Sequence, residues 1–182
     1  MPKRTLPKMS AALRSRLARV KLFLCDVDGV LTNATVLIGN HTEWKAFNIL
    51  DGLAMGILQR EGIRVGWISN RPSPATEQRA KELKIDFLLQ RDRNKVEGAD
   101  VIVKRAGASW DEMCFVGDDL VDLGVLRRAG CAAVVANGID EAKALAHYVT
   151  KARGGEGAVR EVAELILKAQ NKWERIVQNY SA

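Results

Sequence analysis

Residues 21–32 read Lys21-Leu22-Phe23-Leu24-Cys25-Asp26-Val27-Asp28-Gly29-Val30-Leu31-Thr32. An apolar run without polar alternation ends in two carboxylates two residues apart, then a glycine. Such a run suits a strand buried on both faces, as in a parallel sheet. Working outward, similar short runs predict strands at 21–26, 64–69, 87–89, 113–116, 131–135 and 148–150. Helical periodicity falls between them, at about 51–61, 74–83, 95–107, 120–129, 140–146 and 157–170. Gly62, Gly107 and Gly130 stand where helices are expected to end. Regular strand–helix alternation predicts a doubly wound α/β fold, a parallel sheet with helices on both faces.

One segment breaks the rhythm. Residues 35–38 and 44–49 read as two strands around Gly39-Asn40-His41-Thr42. This hairpin, about 33–49 in all, carries Val36, Ile38, Trp44 and Phe47 and projects from the sheet. A lone hairpin is barely stable in water, so it is expected to pack on something. Self-association is the economical answer, and burial on its own domain the alternative. The rest divides into a basic extension over 1–20, a domain over 21–170 and a tail over 171–182. Within the extension, residues 1–8 read as disordered, and 9–20 form a helix with Met9, Leu13, Leu17 and Val20 on one face.

Polar residues cluster at the carboxyl ends of the expected strands. Strand one ends in Asp26 and Asp28, the second in Ser69-Asn70-Arg71, and the fourth in Gly117-Asp118-Asp119, with Asp122 beyond. Lys95 opens the helix after the third. A parallel sheet brings these loops onto one rim, where such folds bind ligands. Clustered carboxylates repel one another without a cation, and hard oxygen donors suit Mg²⁺. The set predicts phosphoryl transfer. Asp26 can attack phosphorus, and Asp28 can protonate the leaving alkoxide and then activate water. Ser69 and Lys95 can bind phosphate.

Asp-x-Asp-Gly, a strand-end Ser, a Lys and Gly-Asp-Asp in this order resemble the haloacid dehalogenase superfamily of phosphatases. The resemblance implies Asp26 as nucleophile, Asp28 as acid/base, and Mg²⁺ held by Asp26, the Asp28 carbonyl and Asp118. Asp119 would support that set, and Asp122 would cap the next helix. Residues 26–32, Lys45-Ala46-Phe47-Asn48, Asp51-Gly52, Gly117-Asp118-Asp119-Leu120 and the run from Gly154 to Glu161 narrow the match. Together they resemble the 3-deoxy-D-manno-octulosonate (KDO) 8-phosphate phosphatases, from about residue 21 to Gln170. That family is capless and forms a tetramer through the hairpin, and its C-terminal tail reaches a neighbouring site. The Gly-rich 154–157 segment and Arg160 would do so here, or else form a loop and a capped surface helix.

By the same resemblance, Asp28, Asn48, Asp51, Gly52, Asn70, Arg71, Arg79, Lys95 and Arg160 are expected to bind a phosphorylated sugar acid. Two positions depart from the family pattern. Leu50 stands where Arg is typical, and Gly56 where a basic residue is common. A sister group acts on nine-carbon, sialic-acid-like 9-phosphates and favours an acid where this chain has Arg71. The eight-carbon reading implies a place in lipopolysaccharide precursor synthesis in a Gram-negative-type cytoplasm. Rivals of other classes are a phospho-accepting receiver domain and a non-catalytic assembly module. Against the first, the nucleophile position lies on strand one. Against the second, Asp26, Asp28, Lys95 and Asp118 are all present.

Composition excludes other classes. The 182 residues carry a net charge of +6, but residues 1–21 hold seven basic residues and no acid. The remainder has 21 basic against 22 acidic residues, so no basic surface for nucleic acid is expected. The longest apolar stretch, residues 20–31, is broken by Asp26 and Asp28, so no membrane span is expected. The acid-free start reads as a docking helix, with an organelle transit peptide as the alternative. Cys25, Cys114 and Cys131 fit no zinc spacing and read as free thiols of a reducing compartment. His41 and His147 have no partner at metal spacing, and both read as non-catalytic.

Overall fold

Strand β1 (Leu22–Cys25) lies at the centre of a six-stranded parallel sheet, with side chains buried on both faces. The computed structural model describes residues 9–40, 42–90 and 94–181. The expectations for residues 1–8 and for His41 lie outside the described residues. The remaining strands are β2 (Leu37–Gly39), β3 (Thr42–Trp44), β4 (Arg64–Ser69), β5 (Phe87–Gln90), β6 (Met113–Gly117), β7 (Cys131–Val134) and β8 (Tyr148–Val149). The helices are α1 (Ala11–Ala18), α2 (Ile49–Arg60), α3 (Pro74–Glu82), α4 (Lys95–Ala106), α5 (Leu123–Arg128), α6 (Asp140–Lys143), α7 (Ala158–Ala169) and α8 (Trp173–Asn179).

The sheet order is β5-β4-β1-β6-β7-β8. The chain winds outward from β1 through β4 to β5, then returns to lay β6 on the other side of β1. Every pairing is parallel, with Cys25 opposite Trp67 in β4 and Val116 in β6. The strand alternation splits the core in two. Phe23, Cys25, Val65 and Trp67 face α1, α2 and α7, while Leu22, Leu24, Ile68 and Phe115 face α4 and α5. This is the doubly wound arrangement expected from the unalternating apolar runs. All three cysteines are free and buried.

Helix α1 begins at Ser10, whose hydroxyl accepts the Leu13 amide. Its Leu13 and Leu17, with Val20 beyond, are buried in the core on the α7 side of the sheet. The Arg16 guanidinium donates to the Gly130 carbonyl at 2.7 Å.

The hairpin is shifted and shorter than expected: Gly39 and Thr42, expected in the turn, are strand residues, and the second strand ends at Trp44. β2 and β3 pair antiparallel, Leu37 with Trp44 and Gly39 with Thr42. Residues 45–48 leave the strand because Asn48 caps α2, its side chain accepting the Leu50 amide at 2.8 Å. Phe47 turns inward and stacks on Trp67, with centroids 6.1 Å apart. Between β1 and α2 the described residues form this hairpin and no other strand or helix.

Two further differences concern helices. The expected helix at 120–129 is a 3₁₀ turn (Leu120–Asp122) followed by α5, because Asp119 and Asp122 form a reciprocal capping box. The tail contains α8, which folds back on its own chain. Lys172 donates to the Glu61 carbonyl at 2.8 Å, Arg175 pairs with the Glu61 carboxylate at 2.6 Å, and Ile176 is buried. No helix is long and apolar enough to cross a membrane among the described residues.

Candidate active site

The carboxyl ends of β4, β1 and β6 lie side by side where the winding reverses. β1 delivers Asp26 and Asp28, β4 ends at Ser69, and β6 runs into Asp118. Lys95 arrives on the first turn of α4, set by Asn94, whose side chain accepts the Val96 amide.

Lys95 is buried, and its ammonium lies 2.7 Å from Asp26 Oδ1 and 2.7 Å from Asp122 Oδ1. Burial works against that charge, but the two carboxylates outweigh it and hold the lysine above its ordinary pKa. Asp122 is fully buried, and its second oxygen accepts the amides of Asp118 at 2.9 Å and Asp119 at 3.4 Å. It is thus more than a helix cap: it aims both the lysine and the loop that carries Asp118.

Oxygens of Asp26, Asp118 and Asp122 lie within 4.8 Å of one another. Burial pushes the Asp26 carboxyl up, with Lys95 pulling it back and Asp122 adding to the rise. Burial also pushes Asp118 up, reinforced by the charges of Asp26 and Asp122. Asp118 Oδ1 is buried without a hydrogen-bond partner. Asp122 has both oxygens committed, so Asp26 and Asp118 are the donors left for a cation. A buried, unpartnered carboxylate oxygen beside a second carboxylate fits a hard divalent ion such as Mg²⁺. Gly29 makes room for this: a Cβ there would stand 2.0 Å from Asp118 Oδ2, and its φ is +99°.

Asp28 takes a different partner. The Lys45 ammonium stands 2.7 Å from Asp28 Oδ1 and 3.0 Å from Oδ2. The Ser69 hydroxyl is buried and exchanges hydrogen bonds with the backbone of Arg71. Asn70 is exposed on the loop between them. The Arg71 guanidinium pairs with Glu43 of β3, which also accepts from the Ser73 hydroxyl. The fully buried Thr32 accepts the amides of Gly29 and Ala34 and braces the loop after β1.

Other residues singled out from the sequence are engaged elsewhere in the same chain. Asp119 is exposed and its carboxylate accepts the Leu120 amide, so it is not grouped with Asp26 and Asp118. Asn48 donates to the Gly155 carbonyl at 3.2 Å. Asp51 is buried and accepts the Arg160 amide at 2.7 Å, facing the start of α7. Arg79 packs over Gly52 and pairs with Glu82. Arg160 pairs with Glu164 at 2.7 Å and lies over the Trp173 ring. The Gly-rich segment seats on its own chain, where the Gly155 amide donates to the Val30 carbonyl. A Cβ at Gly154 would strike the Gly29 carbonyl at 1.7 Å. Helix α7 then runs mostly buried rather than along the surface.

Lys45 and Glu43 were not singled out as site residues. Their signal was period-two alternation: Thr42 and Trp44 are exposed, while Glu43 is half-buried and the Lys45 side chain is 0% exposed. The exposed apolar pair Leu37 and Trp44 occupies the opposite hairpin face.

A family model of haloacid dehalogenase-like hydrolases matches residues 85–162. The KDO 8-phosphate phosphatase KdsC of Yersinia pestis is 38% identical over 160 residues, covering 87% of this chain and 86% of that protein. The crystal structure of the Moraxella catarrhalis KDO 8-phosphate phosphatase, in complex with magnesium ion, phosphate ion and KDO, superposes with a TM-score of 0.91. It is 36% identical, over 94% of this chain and 99% of that one. The cobalt-bound Haemophilus influenzae phosphatase gives a TM-score of 0.88 at 30% identity, over 92% of this chain and 99% of that one. At this identity over most of both chains, this chain belongs to the 3-deoxy-D-manno-octulosonate 8-phosphate phosphatase family of haloacid dehalogenase-like hydrolases.

Proposed function

We propose that this protein is a Mg²⁺-dependent phosphatase that hydrolyses 3-deoxy-D-manno-octulosonate 8-phosphate to KDO and phosphate. The observation that carries the reading is the buried Asp26–Lys95–Asp122 triad beside the unpartnered Asp118 oxygen. It presents a nucleophilic carboxylate, a fixed cation and free donors for a divalent ion on one rim. The sugar is supported by the relatives: the Yersinia pestis protein is a KDO 8-phosphate phosphatase, and the Moraxella catarrhalis structure holds phosphate and KDO.

Asp26 and Asp118, with the Asp28 carbonyl, would hold the ion. When bound, it supplies charge neutralisation for an incoming phosphate. Asp26 attacks phosphorus, forming an aspartyl-phosphate as the bond to the sugar oxygen breaks. Asp28 delivers a proton to that oxygen. It then takes a proton from water, which attacks phosphorus and frees Asp26. Lys95 holds Asp26 Oδ1 and so orients the carboxylate for attack, and Ser69 donates to a phosphate oxygen. Arg71, fixed by Glu43, is the cation offered to the sugar acid.

Exposed apolar residues on the hairpin and α2 support assembly through this face. Leu37 is 63% exposed and Trp44 56%, paired on one hairpin face, with Ile49 and Leu50 of α2 also exposed. A tetramer closing over these residues would also wall a site that has no cap. The remaining roles assigned from the resemblance, for Asn48, Asp51, Gly52, Asn70, Arg79, Asp119 and Arg160, belong to this reading as contacts within or between copies. A cytoplasmic location follows from the same pathway.

The test is Mg²⁺-dependent phosphate release from a panel: eight- and nine-carbon sugar-acid phosphates, hexose phosphates and 4-nitrophenyl phosphate. Preference for the eight-carbon acid is expected. Preference for another sugar would make Leu50 and Gly56 specificity determinants and overturn the substrate. Full turnover by Asp26→Asn would overturn the nucleophile.

A further inference from the structure

Lys45 stands just past β3, on the same face as Glu43, with its side chain wholly buried. A buried ammonium is costly unless it is paired and hydrogen-bonded. Here it meets both Asp28 oxygens, at 2.7 and 3.0 Å, and donates to Thr76 Oγ1 at 3.2 Å. Thr76 is itself fully buried near the start of α3, where its amide donates to the Ser73 hydroxyl. Glu43 ties the same strand to Ser73 and Arg71. The hairpin therefore does two jobs from two faces. Its outer face is apolar and exposed, and its inner face pins the loop carrying Asp28 against α3.

We propose that Lys45 is a positioning residue for the phosphatase reaction: it fixes the Asp28 carboxylate at the place where the leaving oxygen must be protonated. Asp28 follows the strand on a loop, so its backbone alone does not set its carboxylate. Lys45, anchored at Thr76, hydrogen-bonds Oδ2 and leaves Oδ1 without a hydrogen-bond partner, the oxygen left to carry the proton. A misplacement of about 1 Å in a reacting group can cost roughly 100-fold in rate. The inference rests on the reading that Asp28 moves the proton, and the experiment separates the two.

Lys45→Met, Asp28→Asn and the double variant would be assayed as kcat/KM on two substrates. One is the best alkyl phosphate of the panel, whose alkoxide needs a proton to leave. The other is 4-nitrophenyl phosphate, whose phenolate leaves without one. For Lys45→Met we expect a loss of about 100-fold on the alkyl phosphate and only a few-fold on the aryl ester. Asp28→Asn should show the same bias, and adding Lys45→Met to it should cost little more. Equal losses on both substrates, or losses that multiply in the double variant, would make Lys45 structural and overturn the proposal. An Asp28→Asn variant without substrate bias would overturn the role of Asp28 instead. Should Lys45→Met fail to fold, Thr76→Val removes the anchor alone. It should give a smaller loss with the same bias, and an unbiased loss there would count equally against the proposal.

Discussion

Asp122 accepts the Lys95 ammonium at 2.7 Å through one oxygen and the Asp118 amide at 2.9 Å through the other. One buried carboxylate thus fixes both the cation beside the nucleophile and the loop that presents Asp118. Asp122→Asn keeps the shape and an acceptor but removes the charge that balances Lys95. Partners that orient metal ligands typically matter by about 10–100-fold in metal affinity or activity. Activity at fixed Mg²⁺ should fall in that range, with the Mg²⁺ concentration for half-maximal turnover raised. An unchanged Mg²⁺ titration would remove Asp122 from the site.

Gly29 and Asp118 make the second test. The Asp118 carboxylate occupies the space a Cβ on Gly29 would need, and φ at Gly29 is +99°. Gly29→Ala therefore adds backbone strain, about 1–3 kcal/mol, and displaces Asp118. Urea unfolding should show lost stability, and Mg²⁺ should no longer raise the melting temperature. A variant with native stability and a native response to Mg²⁺ would contradict this packing.

The sheet and most of the rim were legible because they follow from local pattern. An unalternating apolar run as short as Leu22–Cys25, bounded by polar residues, reads as a buried strand and not as a helix, and parallel strands end their loops on one side. What was hidden depended on tertiary partners. Asp122 reads as a cap in sequence because the lysine it binds is 27 residues away. Lys45 reads as hairpin polarity because Asp28 and Thr76 meet it only in the fold. Asp51 and Asn48 are assigned to substrate by the resemblance, and their contacts to the start of α7 and the Gly-rich segment are non-local, outside the reach of local pattern. Helix α8 was missed because its docking on Glu61 is likewise non-local.

Metal binding should depend on pH in a defined direction. Burial and the charge of Asp122 raise Asp26 and Asp118 above the carboxylate range against the pull of Lys95, and the charge of Asp26 adds to the rise at Asp118. An incoming cation must then displace protons, and more of them as pH falls. The rise in melting temperature at saturating Mg²⁺ should be largest near pH 8 and shrink toward pH 6. A shift independent of pH would show that these carboxylates are already ionised without the ion.

The hairpin surface makes an assembly prediction. Leu37→Lys with Trp44→Glu places charge on two exposed apolar positions that pair across the hairpin, on the face away from Glu43 and Lys45. Light scattering should show a homo-oligomer for the natural chain and a smaller species for the variant. A monomeric natural chain would refute assembly through this face.

Asp51 links stability to pH without touching the metal. It is buried against the start of α7, and burial lifts its pKa to about 6, although the Arg160 and Gly157 amides pull it down. An unfolded aspartate titrates near 4. Between those values the folded chain holds a proton that the unfolded chain has released, so stability falls as pH rises through this window. The cost of ionising Asp51 is absent below about pH 4 and complete above about pH 6, on the order of 3 kcal/mol. Asp51→Asn can still accept the Arg160 amide but has no charge to bury. Its stability relative to the natural chain, from urea unfolding without Mg²⁺, should therefore climb between pH 4 and pH 7. A constant difference would mean that Asp51 titrates as it does in the unfolded chain. A falling difference would mean that the α7 amides favour the carboxylate more strongly than burial opposes it.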